Sequence, residues 1–463
     1  MPKSTTIYAC TKCDAQTPKW LGQCAECGAW GTMTAAGPSH ARTAAMAGIA
    51  VPEIPTLASV TGAHAQHHPT GIGEFDLAIG GGFIPGALLL LAGEPGIGKS
   101  TLILQVAGAV AAAAHGHSTS SRGGAGGGDV LYITGEETAA QLKHRADRLG
   151  IATEHIRILA TPDAAVAAAA IAKLRPALAI VDSVQTLSLP DVPTGAGGVT
   201  QVRAVTSAIL AAAKGADIPT VIIGHVTKDG TVAGPKTLEH LVDQVAVFEG
   251  EAHSDLRILR TTKNRYGATD VAGVFTMTER GLAPCADPAS AFLTGTGASP
   301  GSAVAAIGLG TRTLMVEIQA LVTRTSFGQP QRRTVGFDCN RLHVLLAILA
   351  QHGGVSLASS DVHAATASGM RIDDPLADLA MAGALLSASA GVTLPFDALI
   401  GELGLDGTVR TGRGAERRIQ DAARIGRTRI AIPPGAKASR GTITVNHIRD
   451  LVQALTRNLR RET

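Results

Sequence analysis

The stretch that decides the fold is Gly93-Glu94-Pro95-Gly96-Ile97-Gly98-Lys99-Ser100, GEPGIGKS. It fits GxxxxGK[ST], follows the apolar run Leu88 to Leu91 and opens a second apolar run at Thr101. Strand, glycine-rich turn and helix N-terminus together are the context this pattern needs. The glycines let backbone N–H groups curl round phosphates at the positive end of a helix. Lys99 is then placed for the β- and γ-phosphates and Ser100 for Mg²⁺, so ATP and Mg²⁺ are the expected cofactors. Residues Gly93, Glu94, Pro95, Gly96, Ile97, Gly98, Lys99, Ser100 and Thr101 form the expected cradle.

Downstream, apolar segments end in polar residues. DVLYITGEE brings Glu136 and Glu137 to a strand end, PALAIVDSVQT brings Asp182 and Ser183, and PTVIIGH brings His225. Ligand chemistry collects at such ends in open α/β sheets. Asp182 reads as the Walker B carboxylate that holds Mg²⁺ through water. Glu136 reads as the group orienting the attacking water, and Glu137 equally as a helix-start carboxylate. Strands alternate with helices through residue 250, which predicts a mostly parallel sheet. Two Gly-bearing loops leave one edge, and the second carries Lys228 and Lys236. Residues 114–129 are low-complexity and read as a surface loop inside this domain.

LRILRTTKNRYG then reads as a strand alternating Leu256, Ile258 and Leu259 with Arg257 and Arg260, running into a turn. The turn carries Lys263, Asn264, Arg265, Tyr266 and Gly267. Two cations on one turn repel unless an anion sits between them. A nucleotide phosphate, a nucleic-acid backbone, or water and salt would all serve.

At the N-terminus, Cys10-x-x-Cys13 and Cys24-x-x-Cys27 are two knuckles ten residues apart. Four thiolates at this spacing suit a structural tetrahedral Zn²⁺ site, with two disulfides or a redox pair as the alternative. Residues 37–68 lack periodicity and read as a linker, with His64, His67 and His68 as polar linker residues or a second metal set. The remaining cysteines, Cys285 and Cys339, have no CxxC partner.

The chain has 463 residues, enough for two to three domains. Hydrophobic content of 45% against 17% charged residues excludes a disordered chain. With 3% aromatics, the cores must be built from aliphatic side chains. The net charge of +3 neither demands nor excludes nucleic acid. No apolar h-region opens the sequence, and no apolar run reaches the roughly 18 residues of a membrane span, so no membrane association is expected.

The combined motifs resemble the RadA (Sms) family of bacterial recombination and repair ATPases, relatives of RecA. The resemblance rests on the four-Cys segment with TPKWLGQCAECGAW, on GEPGIGKST, GEET, GHVTKDGTVAGPKTLEHLVDQVAVFEG and KNRYG, and on the C-terminal third. Two departures stand out: Tyr266 replaces the family's usual Phe, and GEET its usual GEES. The resemblance implies a zinc ribbon (1–36), a linker (37–68), a RecA-like P-loop ATPase domain (69–285) and a Lon-protease-like α/β domain (286–463). It makes Glu136 the RecA-type catalytic glutamate and His225 a γ-phosphate sensor. Loops at about 189–200 and 226–237 become DNA-facing.

In Lon a Ser follows a D-G-P turn and a Lys activates it. Here Asp373-Asp374-Pro375-Leu376-Ala377 puts Leu376 at the nucleophile position, and Glu416 stands near the Lys position. A Ser–Lys dyad needs both groups, so a protease is not expected. Arg324, Arg332, Arg333, Arg413, Arg417, Arg418, Arg424, Arg427 and Arg429 are candidates for a basic surface there.

The implied function is a DNA-dependent ATPase and helicase of recombinational repair. A homo-hexamer would translocate on single-stranded DNA and drive branch migration of recombination intermediates. Lys263 and Arg265 would couple ATP state to DNA. A recombinase or replication protein is a possible partner of the ribbon, and the implied location is cytoplasmic and nucleoid-associated. The alternatives are a RecA-like signalling or clock-type ATPase that binds proteins, and an ATP-dependent protease.

Overall fold

The computed structural model describes residues 7–13, 15–36, 56, 59, 66–116, 128–225, 238–250, 255–269, 271–293, 299–325 and 328–462. Two compact units result, Met1–Gly62 and Ala63–Thr463.

The first unit is a small antiparallel sheet of β1 (Ile7–Cys10), β2 (Gln16–Thr17) and β3 (Met33–Ala36), in the order β2-β1-β3. Among the described residues its buried hydrophobic cluster is Cys10, Cys24 and Met33. So small a core cannot offset the entropy of ordering about thirty residues, which is the usual situation of a metal-dependent module.

The second unit opens with His68, whose backbone exchanges two hydrogen bonds with Phe83 at 2.7 and 2.9 Å. Helix α1 (Gly73–Ile79) follows. Strand β4 (Leu88–Gly93) is buried at every position, and α2 (Lys99–Gly116) begins at the P-loop lysine itself. A continuous apolar strand is what a parallel sheet covered on both faces requires. Then come β5 (Val130–Thr134), α3 (Ala139–Leu149), β6 (Ile156–Ala160), α4 (Ala164–Leu174), β7 (Leu178–Asp182), α5 (Val199–Ala216) and β8 (Thr220–His225). An antiparallel extension closes the domain: β9 (Gln244–Glu249), β10 (Leu256–Asn264), β11 (Ala272–Thr278) and β12 (Gly281–Pro284). These strands form one sheet in the order β12-β11-β10-β9-β4-β8-β7-β5-β6, with β9 still parallel to β4. Apolar clusters fill both faces: the one around Leu88, Leu90, Val181 and Ile209 is aliphatic as expected, whereas the one around Leu89, Leu91 and Ile103 also takes in Phe75, Tyr132, Phe248 and Phe275.

The C-terminal α/β part is built on β13 (Ser302–Leu309), β14 (Arg312–Arg324), β15 (Arg332–Val335), β16 (Ser360–Thr366), β17 (Ala398–Leu399), β20 (Ile430–Ile432) and β21 (Thr442–Thr444), ordered β15-β16-β14-β13-β17-β20-β21. A two-stranded hairpin, β18 (Glu402–Leu403) with β19 (Val409–Arg410), lies apart from that sheet. Its helices are α6 (Cys339–Ile348), α7 (Asp378–Ala390), α8 (Ala415–Arg424) and α9 (Ile448–Glu462). Helix α7 is buried on almost all sides, as a helix apolar all round must be. Its one carboxylate, Asp378, is 1% exposed and is gripped by Arg341 through Nε at 2.9 Å and through Nη2. The two parts of this unit share a core, since Ile258, Ala272 and Val274 pack with Ala303, Val316 and Leu342. Arg312 also forks onto Glu74 of α1 at 2.6 and 3.0 Å.

Candidate functional site

The backbone register aligns the strand ends that carry the expected chemistry. Gly93 pairs with His225, and Thr134 pairs with Asp182. The P-loop, Glu136, Asp182 and His225 therefore stand on one edge of the sheet, at the carboxyl ends of parallel strands. Gly96 and Gly98 have φ of 77° and 113°, conformations that glycine adopts without strain. A Cβ at Gly98 would also lie 2.9 Å from the Met277 side chain, so the loop is packed down upon its neighbours.

Lys99 is 4% exposed and folds over the loop, donating to the carbonyls of Gly93 at 2.9 Å and Glu94 at 2.8 Å. Burial pushes its ammonium down to about 8, while the carboxylates of Asp182, Glu136 and Glu94 oppose that shift. Asp182 accepts from the Tyr132 hydroxyl at 2.6 Å on Oδ2. Burial and that neighbouring carboxylate push the Tyr132 phenol well up, so it stays a donor. Glu136 accepts from Ser183 Oγ at 3.0 Å on Oε1, and the Asp182–Ser183 peptide is cis. Glu137 instead pairs with Arg145 of α3. The two adjacent glutamates thus separate: Glu136 joins the Walker B segment and Glu137 a helix-face ion pair.

Three contributors were not singled out from sequence. Tyr132 sits in a run that reads only as apolar strand. Arg257 reads only as a polar residue alternating with apolar ones, but β10 is covered on both faces and Arg257 is 8% exposed. Its Nε donates to the P-loop carbonyl of Ile97 at 3.1 Å. Asp243 is 1% exposed and accepts from the Leu88 backbone N–H at 3.1 Å, from Lys214 at 3.3 Å and from Arg265 at 3.0 Å. Its one available signal was a lone carboxylate directly before the apolar strand QVAVF.

Asp243 is the anion that the KNRYG turn faces within its own chain. Lys263 donates to the carbonyls of Val242 at 2.9 Å and of Glu239. Asn264 holds the turn: its Oδ1 accepts from Tyr266 N at 2.9 Å and Gln244 Nε2 at 3.0 Å. A Cβ at Gly267 would crowd Asn264 Nδ2 at 3.2 Å. Tyr266 is 37% exposed, so the phenol that replaces the family's Phe stays within reach of water. Lys263 and Asn264 pair with Val245 and Gln244, whereas Gly93 pairs with Phe248. The turn therefore lies at the amino-end edge of the sheet, roughly 15 Å from the strand ends that hold the P-loop. Residues 189–200 follow β7 on the P-loop edge. Lys228 and Lys236 lie outside the described residues, as does His64.

In the ribbon the four cysteine sulfurs lie within 4.8 Å of one another. Cys10 and Cys27 Sγ are 3.7 Å apart, and Cys13 and Cys24 Sγ 3.5 Å. A tetrahedron with metal–sulfur bonds of about 2.3 Å has edges of about 3.8 Å, so the donor set fits Zn²⁺.

At the Lon-like position, Leu376 is 3% exposed and packs with Ala306, Met315, Ile400 and Ile419. Glu416 is exposed. Asp374 takes Arg418 at 2.8 Å, and Arg418, with 11% of its side chain exposed, belongs to this ion pair and not to a basic surface. Arg333, Arg413, Arg417, Arg424 and Arg429 are exposed.

Comparison with known proteins identifies two domains and the family. Residues 74–231 match the family model described as an AAA domain, and residues 8–35 the one described as a rubredoxin metal binding domain. The DNA repair protein RadA of Bacillus subtilis is 40% identical over 94% of this chain and 93% of its own length. That of Mycobacterium tuberculosis is 42% identical over 94% of this chain and 89% of its own. A crystal structure of the RadB recombinase aligns with 47% of this chain and 98% of its own at 20% identity and a TM-score of 0.35.

Proposed function

The chain belongs to the family of DNA repair proteins named RadA, and from that premise we propose that it is a ring-forming, DNA-dependent helicase that translocates on single-stranded DNA and drives branch migration. ATP hydrolysis in recombinational DNA repair, by a zinc-ribbon protein with a RecA-like domain, is the family's activity. Among the described residues no helix is long and apolar enough to cross a membrane.

The observation that carries the proposal is the separation of KNRYG from its own P-loop, on opposite edges of one sheet. A head-to-tail contact between copies brings the Lys263 edge of one against the P-loop edge of the next, and a rotation that closes gives a ring. In that arrangement Lys263 senses the neighbour's γ-phosphate and Arg265 phosphate or DNA.

Within a subunit, Lys99 and the Gly93–Thr101 backbone hold the nucleotide. Ser100 and Asp182 would hold Mg²⁺, which would supply charge neutralisation at the transferred phosphoryl group. Glu136 orients the attacking water, Tyr132 fixes the Asp182 carboxylate, and His225 reports the γ-phosphate. Loops 189–200 and 226–237, with Lys228 and Lys236, contact the DNA backbone, and the ribbon takes DNA or a recombination partner. Phosphate contacts make binding sensitive to salt and indifferent to sequence.

The test is ATP turnover with and without single-stranded DNA across a salt series, for the wild type and Lys263→Ala. The expected result is a stimulation that salt abolishes and that the variant lacks, with ATP binding retained. A trans-acting cation of this kind contributes a factor of about 10³ or more in rate. Stimulation that survives in Lys263→Ala removes the coupling role. No stimulation at low salt removes the DNA motor and favours a protein-binding ATPase.

A further inference from the structure

Away from the nucleotide edge, α2 ends at His115 and Gly116, β5 begins after Gly128 and Asp129, and β6 begins after His155. These three starts and stops bring His115, Asp129 and His155 together, with one ligand atom of each within 4.8 Å of the others. His115 Nε2 lies 3.6 Å and His155 Nδ1 3.4 Å from the same oxygen, Asp129 Oδ1. Both distances match the edge of a coordination tetrahedron with metal–ligand bonds of about 2.0–2.1 Å, which is about 3.4 Å.

The surroundings are those of a metal site. His115 Nδ1 donates to the Ala111 carbonyl at 3.0 Å, which orients the ring and leaves Nε2 facing a carboxylate oxygen. A ring nitrogen facing a carboxylate needs a proton or a metal cation between them. Metal-bound histidines orient their free ring nitrogen through such a backbone bond. Arg157 Nε holds the other carboxylate oxygen, Oδ2, at 2.5 Å and leaves Oδ1 for the ion. The last turn of α2 adds the negative end of a helix dipole. A Cβ at Gly128 would lie 2.5 Å from His115 Cε1, so a larger residue there would displace the ring.

We propose that His115, Asp129 and His155 form a second metal site, for a borderline divalent cation such as Zn²⁺, distinct from the ribbon. Two imidazoles and one carboxylate suit Zn²⁺, Co²⁺ or Ni²⁺ and leave a position for water, whereas Mg²⁺ prefers an all-oxygen set. The rings are stacked with centroids 3.4 Å apart. Two imidazoles on one tetrahedral ion hold their centroids about 5 Å apart, so binding moves the partly exposed His155 ring away from His115. The site does not touch the P-loop, since it lies at the far end of α2, about 24 Å along the helix from Lys99. Its effect is to tie the end of α2 to the starts of β5 and β6.

The experiment is zinc stoichiometry of the full-length protein after equilibrium dialysis against micromolar Zn²⁺, paired with a thermal melt. The wild type should hold two Zn²⁺ per chain, and His155→Ala and Asp129→Asn one each. Cys10→Ser should lose the ribbon ion and retain the other. Zinc should raise the melting midpoint of Cys10→Ser but not that of Cys10→Ser with His155→Ala. One Zn²⁺ in the wild type, or two in both His155→Ala and Asp129→Asn, overturns the proposal. His155 has 45% of its side chain exposed, so its removal leaves the fold intact and the result readable.

Discussion

Arg265 Nη1 lies 3.0 Å from Oδ1 of Asp243, and Asp243 is 1% exposed while the Arg265 side chain is 50% exposed. The KNRYG turn is thus anchored at its root by a buried carboxylate and open to solvent at its tip. The same carboxylate caps the first residue of the P-loop strand through Leu88 N. Asp243→Ala leaves that buried N–H without its acceptor and two cations without their counter-charge. The expected cost is about 2 kcal/mol in urea unfolding. Arg265→Ala, which removes only a half-exposed partner, should cost less than about 1 kcal/mol. Equal stability of wild type and Asp243→Ala would show that this anchor contributes nothing.

Glu136→Gln keeps an acceptor for Ser183 Oγ but loses the charge that the proposed water-orienting role requires. ATP should still bind, and single-turnover hydrolysis should fall by about 10²–10⁴. Retained turnover would transfer the role to another group. Glu137→Gln, whose partner is Arg145, should leave turnover near that of the wild type.

Lys99 gives a pH prediction. Its ammonium sits at about 8 because burial disfavours the charge, and the phosphates of ATP favour it. The complex therefore binds more protons than the free protein once pH exceeds about 8. Affinity should fall as pH rises through that value, and binding should take up a proton. Calorimetry in buffers of different ionisation enthalpy measures the uptake. Lys99→Arg, charged throughout, should show none, and buffer-independent heats for the wild type would refute the assignment.

Chelation should unfold the ribbon and spare the core of the central sheet. With a buried cluster of Cys10, Cys24 and Met33 among the described residues, residues 7–36 depend on four thiolates converging on an ion. A strong chelator should quench the ribbon's amide protection in hydrogen exchange and leave the protection of β4 and β8 unchanged. A ribbon that stays protected without metal would contradict the structural role.

Leu376→Ser tests the Lon-like part. Leu376 is a core residue, so the variant should lose about 2–4 kcal/mol of stability through its cavity and buried hydroxyl. It should gain no peptidase activity, because Glu416 is no base for a serine. Casein cleavage by this variant would be the contrary result.

The local chemistry of this protein is written in contiguous residues. GEPGIGKS, the strand-end Glu136 and Asp182, and the paired CxxC knuckles are each recognisable because a phosphate cradle or a thiolate knuckle is made by neighbours in the chain. The alternation of apolar runs likewise specified the parallel sheet, since a strand covered on both faces must be apolar throughout. What sequence could not decide is which distant groups meet. Arg265 with Asp243, Arg257 with Ile97, and His115 with Asp129 and His155 are joined only by strand order and register, and burial then fixes their worth. Asp243 carries one charge wherever it stands. Only the sheet that removes it from water turns it into the anchor of the KNRYG turn.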